Sequence, residues 1–162
     1  MNSKIKGMLI GGRGTGSALS DFALAILRVC TGLLIGLGHG FGKIWHDGHI
    51  GIADQVVQGT AKLGFPAPTF FAWCSVLAEF VGGILLAVGF LTRPVAAVLV
   101  FDMAVAAFGA HLHDPIVSQA GRSKEAALLY LLPFLLLMFT GAGHFSADAM
   151  VRTMEKREQA GR

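Results

Sequence analysis

Charged side chains are what this sequence has least of. Asp, Glu, Lys and Arg make up 14% of its 162 residues, against about 25% in a soluble domain. Cysteine is scarce too. Cys30 and Cys74 each lie inside an apolar run, form neither a CxxC pair nor a disulfide framework, and read as small buried apolar residues. With 5 prolines and no extended low-complexity tract, a disordered chain is excluded. The absence of HExxH, CxxCH and GxSxG removes zinc-protease, c-type haem and serine-hydrolase chemistry. The glycines of Gly11–Ser17 (GGRGTGS) lack the lysine and the preceding strand of a phosphate-binding loop, and read as a flexible lead-in. Lys and Arg sit mostly in tails and connections, so the net charge of +3 is no nucleic-acid footprint.

Apolar length is what the sequence has. Hydrophobic residues make up 54% of the chain and its mean hydropathy is +0.64, in long runs rather than on one helical face. A hydrocarbon core of ~30 Å takes ~20 helical residues. Four stretches qualify: Phe22 to about Gly40, Phe70 to Phe90, Pro94 to about Leu112, and Ala126 to about Ala142. Only Leu91, Thr92 and Arg93 separate the second from the third, so these are antiparallel neighbours. Pro94 suits a first helical turn, and Pro133 predicts a kink in the fourth span. The expected fold is all-α, an integral-membrane four-helix bundle with a short C-terminal amphipathic helix. Residues 1–21 form the lead-in, 22–145 the four-span domain, and 146–162 a tail with Ser146 as N-cap and Asp148 in its first turn. Gly32, Gly36 and Gly40, with Ala78 and Gly82 on the second span, make small-residue stripes for close packing, or for another subunit.

Ionisable residues inside the spans are expensive and need a reason. Arg28, Glu79 and Asp102 fall at overlapping depths on the first three spans. Arg28 is expected to pair with an acid, as a structural Arg28–Glu79 ion pair or with Asp102. Two readings stay open: a triad that fixes register, or a proton-handling carboxylate beside a hydrophobic ligand such as a quinone. A second polar set gathers at the outer ends. His39 and Lys43 stand four apart and share a helical face, and His111 ends a span running the same way. His46 and His49 lie in the first outer loop, His113 beyond His111, and Glu125 opens the fourth span. None of these has metal-ligand spacing, and Trp45 and Trp73 fit an interfacial belt. His39, Lys43, Glu79, Asp102 and His111 are the candidate binding residues. They are expected to line a pocket covered by the connection from Phe41 to Thr69, with its Phe65-Pro66 corner.

The runs LRVCTGLLIGLGHGFGKIW, GFPAP, LAEFVGGILLAVGFLTR, EAALLYL and GAGHFSADAM resemble the DoxX family of small bacterial membrane proteins. The likeness spans roughly Phe22 to Met150, and HGxxK and AExxGG are its most specific elements. They carry over to His39, Gly40, Lys43, Glu79, Gly82 and Gly83, beside the arginine at Arg28. Asp102 departs from it, standing in a span that is usually apolar. The resemblance implies a four-helix bundle. Named members include a membrane subunit of thiosulfate:quinone oxidoreductase, and others assemble with redox or detoxification proteins. The expected function is thus a membrane subunit of a quinone-linked oxidoreductase or redox complex, lining a quinone or small-substrate pocket. A non-catalytic anchor or assembly subunit is the alternative, and a small transporter, lacking an inverted repeat, the weaker third. The expected ligand is a quinone, with no tightly bound metal or haem. Expected partners are membrane lipid and a redox protein or second copy.

Orientation follows from basic residues. Lys4, Lys6, Arg13, Arg93, Arg152, Lys156, Arg157 and Arg162 fall on one side, against Lys43, Lys62, Arg122 and Lys124 on the other. The excess predicts both termini in the cytoplasm of a bacterial inner membrane. Reporter fusions at Gly161 and within the segment from Gln55 to Gly59 are expected to report opposite sides, Gly161 being cytoplasmic. Both on one side would overturn the topology.

Overall fold

A computed structural model describes residues 15–46, 48–118 and 121–161. The lead-in as far as residue 14, with Lys4, Lys6 and Arg13, and Arg162 lie outside the described residues. The first helix, α1, runs over Ala18–Ile44 and is long and apolar enough to cross a membrane. It begins ahead of Phe22 because Asp21 suits a first turn, where its charge meets the positive end of the helix dipole. A π-helical stretch, Leu34–Gly40, interrupts it near its outer end. A two-residue antiparallel pairing of Trp45–His46 with His49–Ile50 follows. Then come a short helix α2, Asp54–Lys62, and two further membrane-length helices, α3, Pro68–Val88, and α4, Thr92–Ala110. The last five residues of α4, Ala106–Ala110, are again π-helical. Helix α5, Glu125–Thr140, is shorter and carries Pro133 within it, and α6, Ala147–Ala160, closes the chain.

The helices bury Ile35, Leu86, Leu99, Met103, Phe134 and Leu137 between them. Outward they present Phe101, Phe108, Leu129, Leu132 and Phe139, each more than half exposed. In water such a belt would drive association; in hydrocarbon it is the required surface. The molecule is an all-α membrane bundle. Both expected cysteine burials fail: Cys30 and Cys74 are free thiols on exposed positions of α1 and α3.

Glycine sets the distance between α1 and α3. A Cβ on Gly32 would stand 2.5 Å from the Gly83 carbonyl oxygen, and one on Gly40 would stand 2.5 Å from the Phe80 nitrogen. One on Gly83 would stand 2.6 Å from the Gly32 oxygen. The partner of the α1 stripe is therefore Gly83. Gly82 instead faces Val95 and Leu99 of α4, and Ala78 borders a cavity.

Polar groups knot the end of the bundle where the chain turns from α3 to α4. The turn from α3 to α4 needs Gly89 at φ 75° and forces Leu91 to φ 51°, and Asp148 holds it. Its carboxylate accepts from the Leu91 and Thr92 N–H groups at 2.9 and 3.0 Å, which satisfies the first donors of α4. Its own N–H donates to the Gly89 carbonyl at 2.9 Å. Ser146 caps α6 as expected, accepting from the Ala149 N–H at 3.2 Å. Asp21 reaches the His144 ring at 2.7 Å, so the start of α1 and the end of α5 lie at the same end of the bundle.

Substituting Gly83→Val forces backbone apart, and its expected cost is about 1–3 kcal/mol, the usual range for overpacking. Gly38→Ala, which meets nothing within 4 Å, is expected to be neutral or slightly stabilising. Thermal unfolding in detergent measures both. Equal melting of the two variants would contradict the seam.

Candidate functional site

The glycine seam also sets which charges meet. With Gly40 against Phe80, the helical turn beyond it carries Lys43 to the level of Glu79. The Lys43 Nζ donates to Glu79 Oε1 at 2.6 Å and to Oε2 at 2.7 Å. The Glu79 side chain is 4% exposed and that of Lys43 33%, so the lysine stem lies along apolar wall and its head reaches inward.

Arg28 has other partners. Its guanidinium donates to the carbonyls of Ala142 at 2.6 Å, Phe145 at 2.7 Å and Ala87 at 3.3 Å. The expected Arg28–Glu79 ion pair is therefore corrected: Glu79 belongs to Lys43, and Arg28 to chain-end carbonyls. Register is the physical reason. Ala87, which meets Arg28, lies about two helical turns, ~11 Å, inward of Phe80 along α3, beyond the reach of the guanidinium.

A cavity of about 450 Å3 opens between α2, the N-terminal half of α3 and the C-terminal half of α4. Lys43, Glu79, Asp102 and His111 all border it. Ser75, one turn before Glu79 on α3, borders it as well and is a hydrogen-bond partner of Asp102. Phe65, Phe71, Phe101 and Val105 supply apolar wall. The connection after α1 folds over this space as its length suggested. Gln55, Val56, Gly59, Thr60 and Leu63 face it from α2, a spacing that marks one side of a helix.

His111 stands at the cavity edge, its Nδ1 2.7 Å from Asp114 Oδ2, with Arg122 Nε 3.8 Å from the same oxygen. The hydrogen bond from His111 holds the Asp114 carboxyl below its ordinary value, and the charge of Arg122 adds to this.

His39 does not join them. It is absent from the cavity lining and meets the Tyr130 ring edge-on at 5.2 Å between centroids. The expectation that His39 joins Lys43 at the cavity fails because their partners differ: the His39 ring packs on Tyr130 of α5, while the longer Lys43 side chain reaches Glu79 of α3. The π stretch Leu34–Gly40, closed by bonds such as Phe41 N–H to the Gly36 carbonyl, lies almost wholly before both residues. His113 and His49 are exposed, and the side chain of His46 lies outside the described residues. Among the described residues no group of three His, Cys, Asp or Glu side chains is placed to hold a metal ion.

Sequence reasoning missed Ser75, Arg122 and the inward face of α2. Two of these left a signal: Ser75 stands four residues before Glu79, and α2 shows helical spacing toward its apolar side.

A small polytopic helical bundle with a polar cavity under its outer connection is thus the class of protein. The family model described as DoxX matches residues 23–112. Inner membrane protein YphA of Escherichia coli (strain K12) is 35% identical over 101 residues, covering 59% of this chain and 71% of that protein. An uncharacterised protein of Haemophilus influenzae is 40% identical over 129 residues, covering 78% and 89%. An uncharacterised membrane protein of Mycobacterium tuberculosis is 30% identical over 145 residues, covering 82% and 83%. No solved structure matches the chain. The chain belongs to the DoxX family.

The two halves of the ion pair are unequal. Removing Lys43 strands a buried carboxylate, whereas removing Glu79 leaves a lysine that can swing toward the interface. Lys43→Met is expected to cost about 3–5 kcal/mol, Glu79→Gln distinctly less, and the double variant less than Lys43→Met alone. Unfolding in detergent tests the order, and its reversal would remove the pair from the account.

Proposed function

We propose that this protein is the membrane subunit of a quinone-linked oxidoreductase, and that the cavity beneath α2 receives the quinone ring. The observation that supports the reading is the convergence of Lys43, Glu79, Ser75 and Asp102 on one aromatic-walled space. Small-molecule sites take this form, mostly apolar with a few directed polar groups. The Lys43 ammonium and the Ser75 hydroxyl are donors suited to ring oxygens. The carboxyls of Glu79 and Asp102 can hold and release protons at their oxygen atoms, and His111 with Asp114 stands toward the outer solution. Electrons would come from a partner redox protein. Both termini are cytoplasmic in this proposal, so the cavity belongs to the outer half of the membrane.

The anchor-subunit reading assigned the glycine stripe to a docking partner. That stripe packs within the chain, against Phe80, Gly83 and Ala87, so in that reading a partner would dock on another face.

The test is quinone binding by the full chain in lipid nanodiscs. Asp102→Asn and Lys43→Met are each expected to weaken binding by roughly tenfold or more, as loss of a charge-assisted hydrogen bond does. No quinone bound above the lipid background would overturn the proposal.

A further inference from the structure

Beside the polar cavity, on the outward flank of α4, lies a second hollow of about 420 Å3. The two hollows meet along Leu63, Phe65, Phe101 and Val105, which border both. The second one continues past these side chains over Ala104 and Gly109 to Phe108. No charged or hydrogen-bonding side chain lines it among the described residues.

Its shape is that of a groove for a chain. Phe101 and Phe108 stand two turns apart on one side of α4, ~10 Å along the axis, and are 68% and 58% exposed. Small residues, Ala104 between them and Gly109 just beyond Phe108, line its floor. A Cβ on Gly109 would press to 3.2 Å from Leu63 Cδ2, so a larger side chain at this position would push against Leu63 and fill the hollow. The groove lies on the lipid-facing flank, where hydrocarbon rather than water surrounds it.

We infer that the ligand is a membrane-resident amphiphile, a quinone whose ring lies in the polar cavity and whose polyprenyl tail lies in the groove between Phe101 and Phe108. It reaches the site sideways from the bilayer. This rests on the functional reading above and adds to it the ligand's tail and route. The adjacency of the two hollows, which share Leu63, Phe65, Phe101 and Val105 as lining, carries the inference, because a ligand without a tail would need only the first. Charge selects the head. Glu79 and Asp102 together oppose a single Lys43 in the cavity interior, and Arg122 and His111 are engaged by Asp114. A phosphate head would add negative charge to that interior, whereas a neutral ring bearing carbonyl oxygens adds none. The gain from the tail is modest, because a chain leaving lipid for the groove exchanges one apolar surrounding for another. Close packing supplies it.

The experiment compares two quinones with the same ring, one with a polyprenyl tail and one with a methyl group in its place. Each is titrated per lipid into nanodiscs of the full chain, read by tryptophan fluorescence quenching, with Gly109→Leu as the blocking variant. Ala104→Leu replaces that variant if it fails to fold. The tailed quinone is expected to bind about tenfold tighter, and the block to abolish this advantage while leaving the tail-less quinone unchanged. Equal binding of both quinones, unaffected by the block, overturns the groove and leaves the functional proposal standing. Binding of neither overturns both. A phospholipid that co-purifies in place of quinone and is lost on blocking overturns the quinone as occupant.

Discussion

The close approach of α1 to α3 is the constraint on which the rest depends. Backbone meets backbone where Gly32, Gly36 and Gly40 lie on Phe80, Gly83 and Ala87, and helices in that contact cannot slide. Hydrocarbon offers no hydrophobic drive for helix pairing, so packing of this kind and polar contacts must supply it. Once the register is set, the charges have no choice of partner. Arg28 meets the carbonyls at the inner end, and Lys43 meets Glu79 in the outer half.

That division separates two kinds of polar site. At the Arg28 end the guanidinium is answered by carbonyls and the Asp148 carboxylate by amides, although Thr92 Oγ1 and Arg93 Nε are buried there without a partner among the described residues. This is what a structural site looks like, since charged groups in an apolar medium must find partners. At the Lys43 end side chains answer one another around an open space, Glu79 with Lys43 and Asp102 with Ser75, and a cavity so lined is one that a ligand can enter. The π-helical stretches of α1 and α4 lie at this same end, which accords with the frequent occurrence of such turns at functional sites.

Most of the architecture was legible in the sequence because apolar length is a direct physical requirement of the bilayer. Three membrane-length helices and a shorter apolar fourth, the Ser146 cap and the tight α3–α4 turn all follow from residue type and spacing. The membership of Lys43, Glu79, Asp102 and His111 in one cavity was also within reach, since each lies toward the outer half of its helix. The partner of Arg28 was not. Counting residues from span ends gives depth to within about a turn or two, whereas choosing between Glu79 and a set of carbonyls needs the register of two particular helices. His39 was misplaced for a related reason: that its ring packs on Tyr130 of α5 depends on how α1 sits against α5, which the local pattern does not state.

The Arg28 knot has a consequence for how the chain is assembled. The arginine enters the membrane with the first span, yet the carbonyls that receive it most closely belong to Ala142 and Phe145, behind the fourth. Asp148, which holds the α3–α4 turn, is made later still. While the ribosome is still producing the last span, the nascent chain therefore carries a cation in or beside hydrocarbon with its final acceptors unmade. Such a charge is costly there and draws water or headgroups to itself. The bundle can reach its finished state only after synthesis has passed the fourth span. Until then the arginine lacks the carbonyls that distinguish a finished chain from an unfinished one.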